Sequence, residues 1–447
     1  LRRPALALLA ALAAEAPAAS ANGRFPAAQH VVMGPGDAAR DIALRTTFGL
    51  LLSRDGGEHF GWMCEEAMLW PAAPPPGFDP PIEQGARGVV FAGLTGLRHT
   101  ADGCAVEEVL AGPPVAMADL TRHPGSGALF AVEATAGAAN AVYRAAPDGR
   151  RFERLGAGVA DVIFDTVEVA PSDPLRLYLT GRDQRNNRPR ILRSDDGGVT
   201  LTALAGTPEG IDSAWVSGVD PNAADTLFVR ATVGIGAALY RSTDGGRSFR
   251  RLVATPDPML GFALAPDGRG VWVGGVATGL LRSDDGGDTF RRVHALPVLC
   301  LRHHAGALWA CSDGAEGPFA LGRSTDGGER FEVVLRFEDA ARLAGAVACP
   351  GAAAEARCAD RWPSLRAELL ASAPRDAGPP RDAATPRDAG PPRDAATPRE
   401  PAGCAAAPSR EPDRPALALT AAAALGACSA RRRRAHRPRP RRSQRRP

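Results

Sequence analysis

The sequence predicts an all-β fold, a seven-bladed β-propeller of four-stranded antiparallel blades over residues 25–340, followed by a disordered tail. Three observations predict it. An octad of the form Ser/Thr-x-Asp-x-Gly-x-x-Phe recurs along the chain, its clear neighbouring copies start 41 to 48 residues apart, and each interval holds four short apolar stretches. A period of that length with one tight turn per unit is the mark of a propeller blade.

The clear octads carry Ser53, Asp55, Gly57 and Phe60; Ser242, Asp244, Gly246 and Phe249; Ser283, Asp285, Gly287 and Phe290; and Ser324, Asp326, Gly328 and Phe331. A fifth has Ser194, Asp196 and Gly198, with Leu201 in place of the aromatic. The gap from 53 to 194 equals three periods of 47, so two eroded copies belong between them. Thr100-Ala101-Asp102-Gly103 and Ala146-Pro147-Asp148-Gly149, the latter followed by Phe152, supply them and raise the count to seven. The octad is built for a turn. Ser and Asp side chains accept the N–H groups that a reversing chain leaves unpaired, and Gly takes φ values that a Cβ penalises. One or two acids per turn do not furnish the oxygen set of a calcium loop, so no metal and no cofactor is predicted.

A strand enters each octad and another leaves it, with two more upstream. The first unit is laid out as residues 30–33, 41–46, 49–53 and 60–64, and the seventh as 298–303, 307–311, 320–323 and 331–336. Both are complete, so closure is expected by blade-to-blade packing, without a strand exchanged between the chain ends.

Gly 50 and Pro 40, with aromatics at 5%, describe a turn-rich chain and exclude a helical bundle. The net charge of +3 sums unlike parts, because residues 431–447 hold ten arginines and the remainder is net acidic. Specific nucleic-acid binding by the folded part has no support in that balance. There is no lysine, which excludes Schiff-base chemistry and a phosphate-loop lysine.

Residues 1–21 read as a signal peptide, with Arg2 and Arg3 before a short apolar run and a small-residue cleavage site at Ala19-Ser20-Ala21. Export places the chain where disulfides persist. Proximity suggests the pairs Cys64 with Cys104, Cys300 with Cys311 and Cys349 with Cys358, although sequence alone never settles connectivity.

The octads are identified as the BNR or Asp-box motif, and residues 25–340 resemble the propellers grouped near sialidases, the sortilin ectodomain and the photosystem II assembly factor family. That resemblance implies that the octads are peripheral hairpins between the third and fourth strands, holding the scaffold rather than a substrate. Sialidase-like catalysis implies a late tyrosine and an N-terminal Arg-Ile-Pro context. The three tyrosines, Tyr143, Tyr178 and Tyr240, all precede the last two repeats, and Arg40 and Arg45 lack that context.

Any other glycosidase needs two carboxylates in one cleft. Asp119, Asp161, Asp165, Glu168, Asp183, Asp212 and Asp220 lie outside the octads, and spacing favours no pair among them. Trp215, Trp272 and Trp309 sit in apolar strand contexts and read as packing rather than a sugar platform. The polar insertion at 181–189, with Arg182, Arg185, Asn186, Asn187 and Arg188, is either a binding loop or a solvated hairpin. Residues 71–81, rich in proline, form another long connection.

Residues 341–371 read as a short disulfide-closed extension with a helix near 362–370. Residues 372–402 repeat RDAGPP and RDAATP as an extended spacer. In 403–447, Cys404, a small-residue apolar run and an arginine cluster resemble the C-terminal sorting region of myxobacterial surface proteins, which implies Cys404 as the anchoring cysteine; a disordered basic end is the other reading. The terminal arginines are expected to contact anionic membranes without specificity. The function expected is an exported, monomeric, cell-surface scaffold binding protein or glycan, the alternatives being a glycoside hydrolase or lyase and an envelope assembly factor.

Overall fold

The structure is a computed structural model that describes residues 26–36, 40–69, 79–93, 95–110, 115–313, 317–339, 343–346 and 353–371. The expected signal peptide, Cys349, most of the 71–81 connection, the spacer, Cys404 and the arginine-rich end lie outside the described residues. Seven antiparallel sheets follow one another along the chain, at residues 28–63, 82–108, 117–159, 162–203, 213–255, 261–294 and 300–335. These are blades 1 to 7. In each, four strands are hydrogen-bonded in sequence order, so the first is innermost and the fourth outermost.

The inner strands are Ala28–Met33, Ile82–Gly85, Met117–Arg122, Val162–Val169, Ser213–Val219, Gly261–Leu264 and Cys300–His304. Each touches the next, and the last touches the first, so the sheets close a ring around a central channel. A meander of this kind puts the turns between strands 1 and 2, and between strands 3 and 4, at one end of the ring. The turns between strands 2 and 3 emerge at the other end, with the blade-to-blade connections.

The octads are the turns between strands 3 and 4, and five of them share one hydrogen-bond pattern. The Ser Oγ donates to the Asp two residues on, at 2.7–2.8 Å, and accepts the N–H of the second Gly, at 2.8–2.9 Å. The same Asp then accepts the N–H four residues beyond it, from His59, Thr200, Ser248, Thr289 or Arg330. Hydroxyl donation from Ser248 to Asp244 and from Thr289 to Asp285, with the main-chain bonds, holds both carboxyls well below the usual range.

The second Gly of each octad also joins neighbouring blades. All five take positive φ, from +85° to +101°, and each faces an aliphatic side chain of the preceding blade. Gly246 meets Leu204, Gly287 meets Leu252, Gly328 meets Leu280 and Gly57 meets Val334 of blade 7. A Cβ on Gly328 would stand 2.5 Å from Leu280 Cδ2 at φ +98°. Gly328→Ala is therefore expected to lose about 3 kcal/mol in guanidinium unfolding, from left-handed strain and overpacking together.

The third copy departs by one residue from the register read in the sequence. Ala145 stands opposite Leu129 as Ser194 stands opposite Leu177. Gly149, with φ +69°, follows four residues later and Phe152 seven residues later. The octad therefore starts at Ala145, with alanine where the hydroxyl belongs.

Closure differs from the sequence expectation. All seven blades do have four strands of their own, but Leu343–Ala346 adds a fifth to blade 1, parallel to Phe60–Met63. The outer strand of blade 1 is buried, and a buried unpaired edge is costly, so a strand from beyond blade 7 covers it. Helices Ala353–Ala359 and Trp362–Ala371 continue this strap, with Trp362 tilted against Trp62 at 5.5 Å and Arg361 paired with Glu66.

Two expected disulfide pairings are corrected here. Cys64 is bonded not to Cys104 but to Cys358, 294 residues away, which also removes Cys358 from Cys349. The ring brings residue 64, at the end of blade 1, beside the strap that follows blade 7, and sequence proximity cannot register that. Cys104 is itself disulfide-bonded, though not to Cys64. Cys300 and Cys311 face each other across adjacent strands of blade 7 and are bonded.

Candidate functional site: the axial channel

Ionisable side chains from six blades meet along the axis. The inner strands supply His30, Glu83, Asp119, Arg122, Glu168 and Arg302, and the second strands of blades 1 and 5 supply Arg45 and Arg230. Position explains the mixture. An inner strand packs against both neighbouring blades, yet its channel edge stays in contact with solvent, so polar residues are tolerated there. Glu83 is 3% exposed, while His30, Asp119, Glu168 and Arg302 are half-buried.

Several of these groups tie blades together. Asp119 Oδ2 accepts the N–H of Val167 in blade 4 at 3.0 Å, and Thr166 Oγ1 accepts that of Val216 in blade 5 at 3.1 Å. Thr121 donates to Glu168 Oε2 at 3.1 Å. Arg45 donates to the carbonyl of Pro80 at 3.0 Å, Arg230 to that of Met259 at 2.7 Å, and Arg122 to that of Met33 at 3.2 Å. Arg230 also lies over Trp215, 5.5 Å from its centroid. Arg302 makes no hydrogen bond or ion pair among the described residues.

The channel shifts the titration of its members strongly. Burial pushes the Asp119 carboxyl up to about 7, against the Val167 and Leu120 N–H groups, with Glu83 adding to the rise. Burial and the charge of Asp119 push Glu168 up to about 8. Burial, then Arg45, Arg302 and Arg230, push His30 down to about 3, so its imidazole is neutral at physiological pH. The channel thus presents an unengaged guanidinium, a neutral imidazole and two carboxyls that exchange protons near neutrality.

Of the acids singled out in the sequence, the structure brings Asp119 and Glu168 together. Asp161 pairs with Arg185, Asp165 with Arg182 and Asp183 with Arg190, while Asp212 and Asp220 cap the N–H groups of Gly234 and Asn222. The 181–189 insertion is a hairpin between strands 2 and 3 of blade 4, at the end of the ring opposite the octads. Its arginines Arg182 and Arg185 are engaged by those aspartates, Asn186 accepts the Arg188 N–H, and Asn187 takes a φ of 58°. Trp272 and Trp309 are buried, with Arg282 and Arg323 over their rings, and Trp215 alone of the three reaches the channel side.

Sequence reading missed His30, Glu83, Arg122, Arg230 and Arg302 because the ionisable residues of the channel follow no repeating pattern. A search for ionisable residues on the first strand of every unit would have found four of them.

Exposed apolar side chains gather at the end of the ring opposite the octads. Val233 and Ile235, in a turn of blade 5, Leu260, in the connection to blade 6, and Val276, in a turn of blade 6, are four of the seven exposed large hydrophobic residues among those described. Ile235 is 91% exposed. At the octad end, Asp55, Glu58 and His59 place their ligand atoms within 4.8 Å of one another, but Asp55 is already paired with His59 at 2.7 Å.

No protein-family model matches the chain, and no curated protein matches it. Solved structures do resemble it. They include YCF48 bound to D1 peptide, at 16% identity over 64% of this chain and 91% of that one, with a TM-score of 0.43. YCF48 from Cyanidioschyzon merolae matches at 16% identity over 64% and 94%, with a TM-score of 0.46. A puromycin-hydrolyzing peptidase from Mycobacterium tuberculosis matches at 18% identity over 71% and 53%, with a TM-score of 0.48. Likeness at these identities is one of fold.

Proposed function

We propose that this chain is an interaction scaffold of the Asp-box propeller type, which captures an extended polypeptide segment on the end of the ring opposite the octads. The exposed patch of Val233, Ile235, Leu260 and Val276 carries this reading. Large apolar side chains left in water on adjacent blades, beside a polar channel mouth, mark an interaction surface rather than a folding requirement. The Trp215 and Arg230 pair next to it is of the type that anchors partners, and the hairpin with Asn186 and Arg188 borders the same end. An exported setting at the cell envelope is part of the proposal, supported by the disulfides, which persist in oxidising compartments.

A displayed library of extended peptides tests it. Enrichment of an apolar motif by the native chain, lost by at least tenfold in an Ile235→Asp and Leu260→Asp double variant and kept in Val199→Asp at the opposite end, is the expected result. Peptide enrichment indifferent to those changes removes the reading. A second reading rests on Asp119 and Glu168, whose raised carboxyls would suit acid/base work on a glycan. Polysaccharide cleavage abolished by Asp119→Asn would replace the scaffold with an enzyme.

A further inference from the structure

Each of three consecutive blades carries an arginine immediately before its octad that reaches into the next one. Arg193 donates to Gly245, Arg241 to Gly286 and Arg282 to Asp326, all through main-chain carbonyls. The residue paired across from this arginine is aromatic throughout: Tyr178, Phe228 and Trp272. In blade 3 the equivalent is Arg144, paired with Phe130 and lying 5.8 Å from its ring centroid. Arg144 does not reach the octad of blade 4, is exposed, and makes no hydrogen bond or ion pair among the described residues.

A cavity of about 560 Å³ opens beside Arg144 at the octad end of blade 3, lined by residues of that blade, with an apolar wall of Ala128, Ala145, Pro147 and Leu155. Arg144 stands at its wall, and the other arginine present, Arg151, is already paired with Glu153 at 3.1 Å. That volume suits a small organic molecule. A guanidinium without an acceptor beside an apolar wall selects a carboxylate on an apolar body, which replaces the carbonyl that the other clasp arginines find.

We propose that this cavity at the octad end of blade 3 is a binding site for a small organic carboxylate, anchored by Arg144. It lies at the octad end of the ring and is independent of the polypeptide surface proposed above.

Titration of the full chain with phenylacetate, followed by calorimetry and by methyl resonances of Ala145 and Leu155, tests it. The expected result is saturable one-site binding with a Kd of about 1 mM, fragment-like in strength. Acetate, lacking the apolar body, is expected to bind at least roughly tenfold more weakly, and Arg144→Gln to weaken phenylacetate by about tenfold or more. Arg151→Gln, which removes a guanidinium already paired, is expected to cost less. Absence of saturable binding to the native chain overturns the proposal without any variant, and so does equal binding by Arg144→Gln, whose exposed side chain leaves the fold intact.

Discussion

Removing the disulfide between Cys64 and Cys358, by replacing both with serine, is expected to lower the unfolding free energy by about 5 kcal/mol, more than removing the Cys300–Cys311 bond. The chain-entropy account rests on loop size, and this bond closes a loop across 294 residues. The Cys300–Cys311 bond spans 11 residues within one hairpin, and on the same account contributes about 3 kcal/mol. Position enlarges the difference. Cys358 belongs to the strap whose strand covers the outer edge of blade 1, and Trp362, Leu365 and Leu369 pack into the core shared by blades 1 and 7. Without the bond the strap keeps its strand pairing, its packing and the Arg361–Glu66 pair, but loses its covalent tie to blade 1. Hydrogen exchange is therefore expected to rise first in 343–346 and 60–63, ahead of blades 3 to 5. Equal unfolding midpoints for the native and double-serine chains, or exchange rising uniformly over all blades, would remove the strap from any role in closure.

How far the sequence carried follows from what repeats and what does not. Ser242, Asp244 and Gly246 recur with their spacing because every blade makes the same turn, and seven turns imply seven blades. The one-residue shift at Ala145 arose where that selection had lapsed: without the hydroxyl, Asp148 was the remaining guide, and it occupies a different place in the turn. Cys64 and Cys358 were misassigned because ring closure is a property of the whole chain, which no local spacing reports. Channel residues were illegible for a third reason. Six blades bring ionisable groups to the axis in no repeating pattern, so His30 and Arg302 have no counterpart in the next repeat that would mark their position. The clasp arginines lie between these cases. Arg193, Arg241 and Arg282 do repeat in the sequence, but only the contacts show that Arg144 is the member lacking its acceptor.

Stability is expected to be higher at pH 6 than at pH 8.5, by about 3 kcal/mol, because of Asp119 and Glu168. Both carboxyls titrate higher in the folded chain, near 7 and 8, than the ordinary 3.8 and 4.5 they regain on unfolding. The folded state therefore holds protons that the unfolded state has released, and this contribution is complete below the unfolded values and lost as pH rises through the folded ones. His30 acts in the opposite sense. Held near 3 when folded against 6.5 unfolded, it opposes folding increasingly as pH falls from 6.5 towards 3. The octad carboxyls Asp244 and Asp285, held low by their hydrogen bonds, withdraw stability at still lower pH. The optimum accordingly lies on the acid side of neutrality. Every charged group around the pair enters the balance. Glu83 disfavours ionisation of both carboxyls, whereas Arg45 favours that of Asp119 and Arg302 that of Glu168. Guanidinium unfolding at the two pH values measures the difference, and an Asp119→Asn, Glu168→Gln double variant is expected to flatten it, since neither amide titrates. A native chain more stable at pH 8.5, or a variant that keeps the native slope, would place the controlling protons outside the channel.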